Sequence, residues 1–291
     1  MRERQVAGLD WENRFMTDQI ISIARAAGNI IMDIHRSGKL EVREKEDRSP
    51  VTRADLASDD YIKSQLRDRF GIPCVTEESG ADCSTGADRS TGADRSTGAD
   101  RPSGEDWEEF FLVDPLDGTK DFIHQGDEFT VNIAQIRSGQ PVLGVVCLPA
   151  LGEVFFAQQG KGAFMEKDGS RQRLPHTPCS GRVMARSRHH DSESVEQFAR
   201  QNDITQSLRM SSAVRFCRLA EGKASIYPGF NRSMEWDTAA GHLILKESGG
   251  WVTDLVTRRE IVYNKPDFKN NPFIAGSKEV DFARLVLPDL G

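Results

Sequence analysis

The stretch FFLVDPLDGTKDF, residues 110–122, drives an apolar run straight into two acids, a Gly-Thr pair and a charged pair. Phe110, Phe111, Leu112 and Val113 read as a short buried strand, because four apolar residues end abruptly at turn chemistry. Asp114 and Asp117 then fall at the strand's carboxyl end, where open α/β sheets place their ligands. Pro115 fixes φ and Gly118 permits tight backbone geometry, so a shaped loop is expected under both acids. Two carboxylates this close, with no adjacent base to neutralise both, repel strongly. A hard divalent cation resolves that conflict, and magnesium prefers oxygen ligands of this kind.

Upstream of this loop, Ile20, Ile23, Ala24, Ala27, Ile30, Ile31 and Ile34 recur at helical spacing and Gly38 follows. The pattern predicts an amphipathic helix over about 15–35. A second helix is expected over 54–70, stopped by Gly71, and then a strand over 72–76 that delivers Glu77 and Glu78. The hexapeptide STGADR occurs three times in tandem over 84–101. A short polar unit without apolar positions cannot build a core, so it reads as a disordered insertion in a surface loop.

Downstream, FTVNIAQI alternates, VLGVVCLP follows a Ser-Gly-Gln-Pro turn, and a hairpin over 153–164 turns through QGKG. These are expected to be antiparallel strands of one sheet. From Val183 the pattern becomes alternating strands and helices, ending in a helix that starts near Trp236 and is closed by Gly249-Gly250. The expected organisation is an N-terminal extension over 1–14, an α+β lobe over 15–178 and a C-terminal α/β lobe over 179–291.

The bulk properties narrow the function. With 291 residues, 37% hydrophobic and 29% charged, the chain has the composition of a globular protein with a sizeable core. Its net charge of -7 argues against a nucleic-acid polymer as partner, which demands a basic face. A small phosphorylated substrate remains compatible, since bound cations change the local field. Five scattered cysteines, none in a CxxC pair, make a disulfide framework or zinc site a poor reading and point to a reducing cytosol. MRERQVAGLDWENRF has no apolar core of signal-peptide length, and no run approaches a membrane span. A cytoplasmic protein without a transmembrane segment is expected.

Four separated acidic elements could be gathered by folding: Asp55 in SPVTRADLA, Glu77-Glu78 in VTEESG, Asp114 with Asp117, and Asp237 in EWDTAAG. Singly, each has an ordinary reading. Asp237 suits a helix cap, Asp55 a helix-dipole partner and Thr119 the cap of a following helix. The signal lies in the combination.

In this order, SPVTRAD, TEESG, DPLDGTKDFI, EFTVNIA and WDTAAG resemble the inositol-monophosphatase-like superfamily of metal-dependent phosphatases. With RFCRLAEGKASIYP and WDTAAGH the chain looks closer still to its CysQ branch, the 3'(2'),5'-bisphosphate nucleotidases. The resemblance implies an α/β (α+β) protein, a layered αβαβα sandwich of the inositol-monophosphatase and fructose-1,6-bisphosphatase type. It implies two or three magnesium ions per active site. Glu77, Asp114 and the Leu116 carbonyl would hold one, Asp114, Asp117 and Asp237 a second, and Glu77 with waters a third.

It implies further that a metal-activated water attacks phosphorus in line, with Thr119 taking its proton and passing it to Asp55. The Gly118 and Thr119 amides would hold phosphate oxygens. Ser212 and Arg215 are the nucleotide contacts carried over, beside Glu77, Leu116, Asp117 and Asp237 around the phosphate. Adenosine 3',5'-bisphosphate is the implied substrate, with 3'-phosphoadenylyl sulfate a second, and lithium the implied inhibitor. To the cytoplasmic expectation the family adds a peripheral place on the cytoplasmic side of the inner membrane. Neither oligomeric state nor the purpose of the repeat is legible.

Three departures bear on the substrate. Ser211 stands where a glycine is usual, Arg215 replaces a lysine, and Gly229 replaces an arginine, which weakens nucleotide binding unless Arg232 substitutes. An inositol or sugar phosphatase with the same metal site is the alternative within the class, although DGTKD favours the nucleotidase. A haloacid-dehalogenase-like enzyme is disfavoured, since two residues rather than one separate the acids. A degenerate sensing module would lack a metal acid, and none is missing.

Overall fold

The computed structural model of the chain describes residues 2–45, 49–78, 107–175, 178–189, 192–211 and 213–289, with side chains from 15 onward. The tandem repeat, Cys83, His190 and the expected contact Ser212 lie outside the described residues.

Helix α1 spans Arg2–Ser37, so the helix expected over 15–35 begins well before the apolar periodicity does. Two short strands, β1 (Arg43–Glu44) and β2 (Pro50–Val51), pair antiparallel and lead into α2, Arg53–Phe70. Thr52 and Asp55 form a capping box at the start of α2, and Gly71 ends it in the left-handed region at φ 64°. Then come β3 (Cys74–Thr76), β4 (Glu109–Asp117), the short α3 (Thr119–Ile123), β5 (Thr130–Arg137) and β6 (Gln140–Leu148). Strands β7 (Glu153–Gln158), β8 (Gly162–Lys167) and β9 (Ser170–Arg173) complete a seven-stranded sheet in the order β3 to β9. Its pairs are antiparallel except β3–β4, which is parallel.

The second half supplies β10 (Val183–Ser187), α4 (Glu193–Gln201), β11 (Gln206–Met210), α5 (Val214–Glu221) and β12 (Ile226–Gly229). Helix α6 (Ala239–Glu247) and strands β13 (Trp251–Asp254) and β14 (Phe273–Gly276) follow. The five strands are ordered β11-β10-β12-β14-β13. Sequence reading missed β9, β11, β13 and β14: Ser170–Arg173 is exposed throughout, in QSLRM only Met210 is buried, and the four-residue strands β13 and β14 lie beyond the helix at which that reading ended.

Side-chain alternation stacks these pieces in layers. Phe111 and Val113 of β4 face α1 and α2, where Ile20, Ile23, Ile31 and Ile62 are buried. Phe110 and Leu112 face the other way, against Phe216 and Leu219 of α5 and Leu243 and Ile244 of α6. The outer face of the second sheet, through Met184, Ile226 and Ile274, packs on Val195 and Phe198 of α4. The chain is therefore an αβαβα sandwich.

The contact between β6 and α6 matters because α6 follows Asp237. At Gly144, an added Cβ would lie 2.7 Å from the Ala240 carbonyl oxygen and 3.0 Å from its Cα. Backbone cannot yield as a flexible side chain does, so Gly144→Ala should cost about 1–3 kcal/mol by overpacking. The urea midpoint should fall with an unchanged m-value. A midpoint at the wild-type value would show that the sheet and helix do not need this close approach.

Candidate active site

Parallel pairing of β3 with β4 places Thr76 opposite Val113, and the Glu77 amide donates to the Val113 carbonyl at 3.1 Å. Glu77 is thereby held beside Asp114. Asp237 arrives from the far half of the chain, at the end of a 3-10 turn, Glu235–Asp237, that precedes α6. Fully buried Glu235 anchors this turn by accepting from the Asn264 and Lys265 amides at 2.7 and 3.0 Å. Asp237 Oδ2 in turn accepts from the Met234 amide at 2.7 Å. Asp237 thus closes back on Met234, the N-cap residue of the 3-10 turn, and does not cap the helix as expected: α6 begins two residues later, after Thr238, without a side-chain capping bond.

Glu77, Asp114 and Asp237 each bring a carboxylate oxygen within 4.8 Å of the other two. Burial, followed by the charges of Glu77, Asp117 and Asp237, pushes the Asp114 carboxyl well above its ordinary range. Asp237 is raised in the same way by desolvation, Asp117 and Glu77. Acids held against their own repulsion, with oxygen donors only, suit a hard divalent cation.

The acids lie within β4, not on a loop after it. The register shifts between Asp114↔Asn132 and Asp117↔Thr130, so β4 bulges over Pro115 and Leu116. Proline has no amide to donate to the ladder, which makes a bulge the natural place for it. Two bonds fix the bulge: Leu116 N donates to Asp114 Oδ1 at 3.0 Å, and Ser58 Oγ of α2 donates to the Pro115 carbonyl at 2.8 Å.

Asp117 stands apart from the three-acid set. Its Oδ2 accepts from the Ala213 amide at 2.8 Å and from Asn132 Nδ2 at 3.3 Å. Burial raises its carboxyl, while Arg215 and these bonds oppose the rise. The Arg215 guanidinium lies 4.5 Å from the Tyr227 ring centroid. Asp117, Asp237, Arg215, Tyr227 and Arg232 together line a cavity of about 590 Å3.

Gly118 caps α3 with φ 89°, a conformation that favours glycine, and Thr119 makes no capping bond. Thr119 Oγ1 instead lies 3.1 Å from Asp55 Oδ1 and 3.3 Å from the Leu116 carbonyl oxygen. The other oxygen, Asp55 Oδ2, accepts from the Thr52 amide at 2.8 Å and from Thr52 Oγ1 at 2.5 Å. Asp55 therefore serves as both the capping acid of α2 and the partner of Thr119. Burial raises its carboxyl, against the bonds from Thr52 and Thr119.

Several participants escaped sequence reading. Lys45 Nζ sits 2.7 Å from both Glu77 Oε1 and Glu78 Oε1. Burial and Glu77 push Glu78 up to about 7, against the attraction of Lys45. Asn132 had a signal, as a polar residue inside a buried apolar strand. The buried carboxylate of Asp121 receives Arg188 Nη1 at 3.3 Å and His189 Nε2 at 3.2 Å. Arg188 Nη2 also reaches Glu128 at 2.8 Å, and Glu128 accepts from the Ser211 amide at 2.9 Å. These ties bind the segment after the DPLDGT bulge to the second sheet.

The inositol monophosphatase family profile matches residues 12–286. The chain belongs to this family. A Salmonella typhimurium protein named 3'(2'),5'-bisphosphate nucleotidase CysQ is 37% identical over 241 residues, covering 82% of this chain and 90% of its own. The Escherichia coli K12 protein of the same name is 36% identical over the same length and coverage. Among solved structures, CysQ from Bacteroides thetaiotaomicron is 30% identical with a TM-score of 0.74, covering 90% of this chain and 97% of that one. An inositol monophosphatase from Thermotoga maritima, at 24% identity and a TM-score of 0.69, shares the fold. No helix among the described residues is long and apolar enough to cross a membrane.

Proposed function

We propose that the chain is a magnesium-dependent phosphatase that removes the 3'-phosphate of adenosine 3',5'-bisphosphate, giving AMP and phosphate. Hydrolysis of adenosine 3',5'-bisphosphate would recycle the by-product of sulfate activation and transfer, and 3'-phosphoadenylyl sulfate is a second substrate. The observation that carries this reading is the three-acid cluster, Glu77, Asp114 and Asp237, of which Asp237 also lines, with Asp117, a cavity that holds arginines. The likeness to CysQ proteins supports the choice of nucleotide.

Glu77, Asp114 and the Leu116 carbonyl would hold one magnesium ion, Asp114, Asp117 and Asp237 a second, and Glu77 a third. Bound magnesium supplies charge neutralisation and lowers the pKa of the attacking water. Thr119 Oγ1 takes the water's proton and hands its own to Asp55 Oδ1. The Gly118 and Thr119 amides hold the phosphate oxygens as charge develops. Attack forms one P–O bond and breaks the bond to the 3'-oxygen, which leaves as an alkoxide and takes a proton from solvent water to become the hydroxyl of AMP.

Phosphate release by the purified protein tests this reading across a panel: adenosine 3',5'-bisphosphate, 3'-phosphoadenylyl sulfate, inositol 1-phosphate and fructose 1,6-bisphosphate, each with and without magnesium. Turnover should need magnesium and be fastest with the nucleotides. Asp237→Asn should abolish it; unchanged activity in that variant would sink the metal-site assignment. A preference for inositol 1-phosphate would overturn the substrate while sparing the chemistry.

A further inference from the structure

Three arginines line the cavity beside Asp117 and Asp237, and their surroundings differ. Arg215 lies over Tyr227 and its charge acts on both Asp117 and Asp237, so it belongs to the reacting end. Arg186 is buried and ion-paired with Glu196, so its charge is already met within the protein. Arg232 is exposed at the cavity, and among the described residues no carboxylate pairs with it.

Position 229, three residues earlier, is closed to any side chain. A Cβ there would sit 2.3 Å from Phe273 Cζ and 2.5 Å from its Cε1. That ring is fully buried, stacked at 5.9 Å on Phe216 and edge-on at 5.3 Å to Tyr227. Between Tyr227 and Thr238, Arg232 is the single cationic residue. Its backbone is steadied from the next residue on: the Ser233 carbonyl accepts from the Asn270 amide at 2.9 Å, and Asn270 Nδ2 donates to the Met234 carbonyl at 2.7 Å.

We infer that Arg232 anchors a second anionic group on the substrate, a phosphate that is not cleaved, and so sets the preference for bisphosphorylated over monophosphorylated nucleotides. A guanidinium offers the planar, two-pronged donor that phosphate accepts, and a cation without a carboxylate partner meets the ligand without first breaking an ion pair. The inference rests on the nucleotidase reading and adds the residue that enforces it.

The test compares kcat/KM for adenosine 3',5'-bisphosphate and for 3'-AMP, which lacks the second phosphate, in the wild type, Arg232→Gln and Arg232→Lys. Arg232→Gln should lower the ratio of the two values by about 10- to 100-fold, the scale of a lost hydrogen bond to a charged group. The loss should appear in KM, and Arg232→Lys should recover part of it. Magnesium-dependent melting of each variant reports whether the fold and the acid cluster are intact. A wild type that prefers the bisphosphate, with a ratio unmoved in Arg232→Gln, overturns the role of Arg232 alone. An equal loss on both substrates overturns it as well. A wild type that favours inositol 1-phosphate over either nucleotide overturns the nucleotidase reading itself, and the inference falls with it.

Discussion

Asp114→Asn should silence the enzyme and, without metal, make it more stable. Asp114 is 1% exposed and faces Glu77, Asp117, Asp237 and Glu78. Asparagine keeps the shape and the acceptor for the Leu116 amide while removing one buried charge. Loss of a central electrostatic partner at the reacting phosphate should lower turnover on the order of 10³-fold.

Stability should move the other way. A carboxyl whose folded pKa is raised above about 3.8 binds more protons in the folded state than in the unfolded one. Its favourable contribution is complete below that value and is lost as pH rises through the raised folded pKa. Metal-free wild type should therefore be strained near neutrality, and Asp114→Asn relieved of part of that strain. Melting in a chelator from pH 4 to 8 should show the variant's advantage growing with pH, by ~2 to 4 °C for each kcal/mol relieved. Magnesium should raise the wild-type melting temperature and leave that of the variant nearly still. An advantage that is flat in pH, or a variant that still responds fully to magnesium, would remove Asp114 from the metal centre.

How much of this was legible beforehand follows the range of the interactions. The layered fold was legible because Phe110 to Val113 and the later strands alternate or run apolar, and because α1 and α2 carry their own periodicity and stops. Asp114, Glu77 and Asp237, each ordinary when taken singly, were singled out by their combination in one ordered set of motifs, and folding does bring the three together. The bulge under Asp114 and Asp117 was not, since a proline after an acid reads equally as a loop; only pairing with β5 decides it. Nor did sequence reveal the Ala213 amide on Asp117, Lys45 between Glu77 and Glu78, or Arg188 on Asp121, 67 residues away. Lone charges and backbone amides carry no spacing signal, and packing of distant segments chooses their partners.

Thr119 and Asp55 should fail differently from Asp114. Asp55 Oδ2 is taken up by Thr52 and Oδ1 is left for Thr119, whose hydroxyl proton has two acceptors, Asp55 Oδ1 at 3.1 Å and the Leu116 carbonyl at 3.3 Å, of which the charged carboxylate is the stronger. An ionised carboxylate only accepts, so the Thr119 oxygen keeps a lone pair free to take a proton from water. Thr119→Val removes the relay with little change in shape, and Asp55→Asn removes its terminus. Each should lower kcat by about 10²- to 10⁴-fold, the range of general acid–base catalysis. Thr119→Ser, which keeps the hydroxyl, should retain most of the rate. Neither loss touches Glu77, Asp114 or Asp237, so both inactive variants should still melt higher in magnesium, as Asp114→Asn should not. If Thr119→Val keeps wild-type turnover, the hydroxyl is a structural bond between the bulge and α2, and the proton leaves by another path. If it loses both turnover and the magnesium response, Thr119 shapes the metal site and moves no proton.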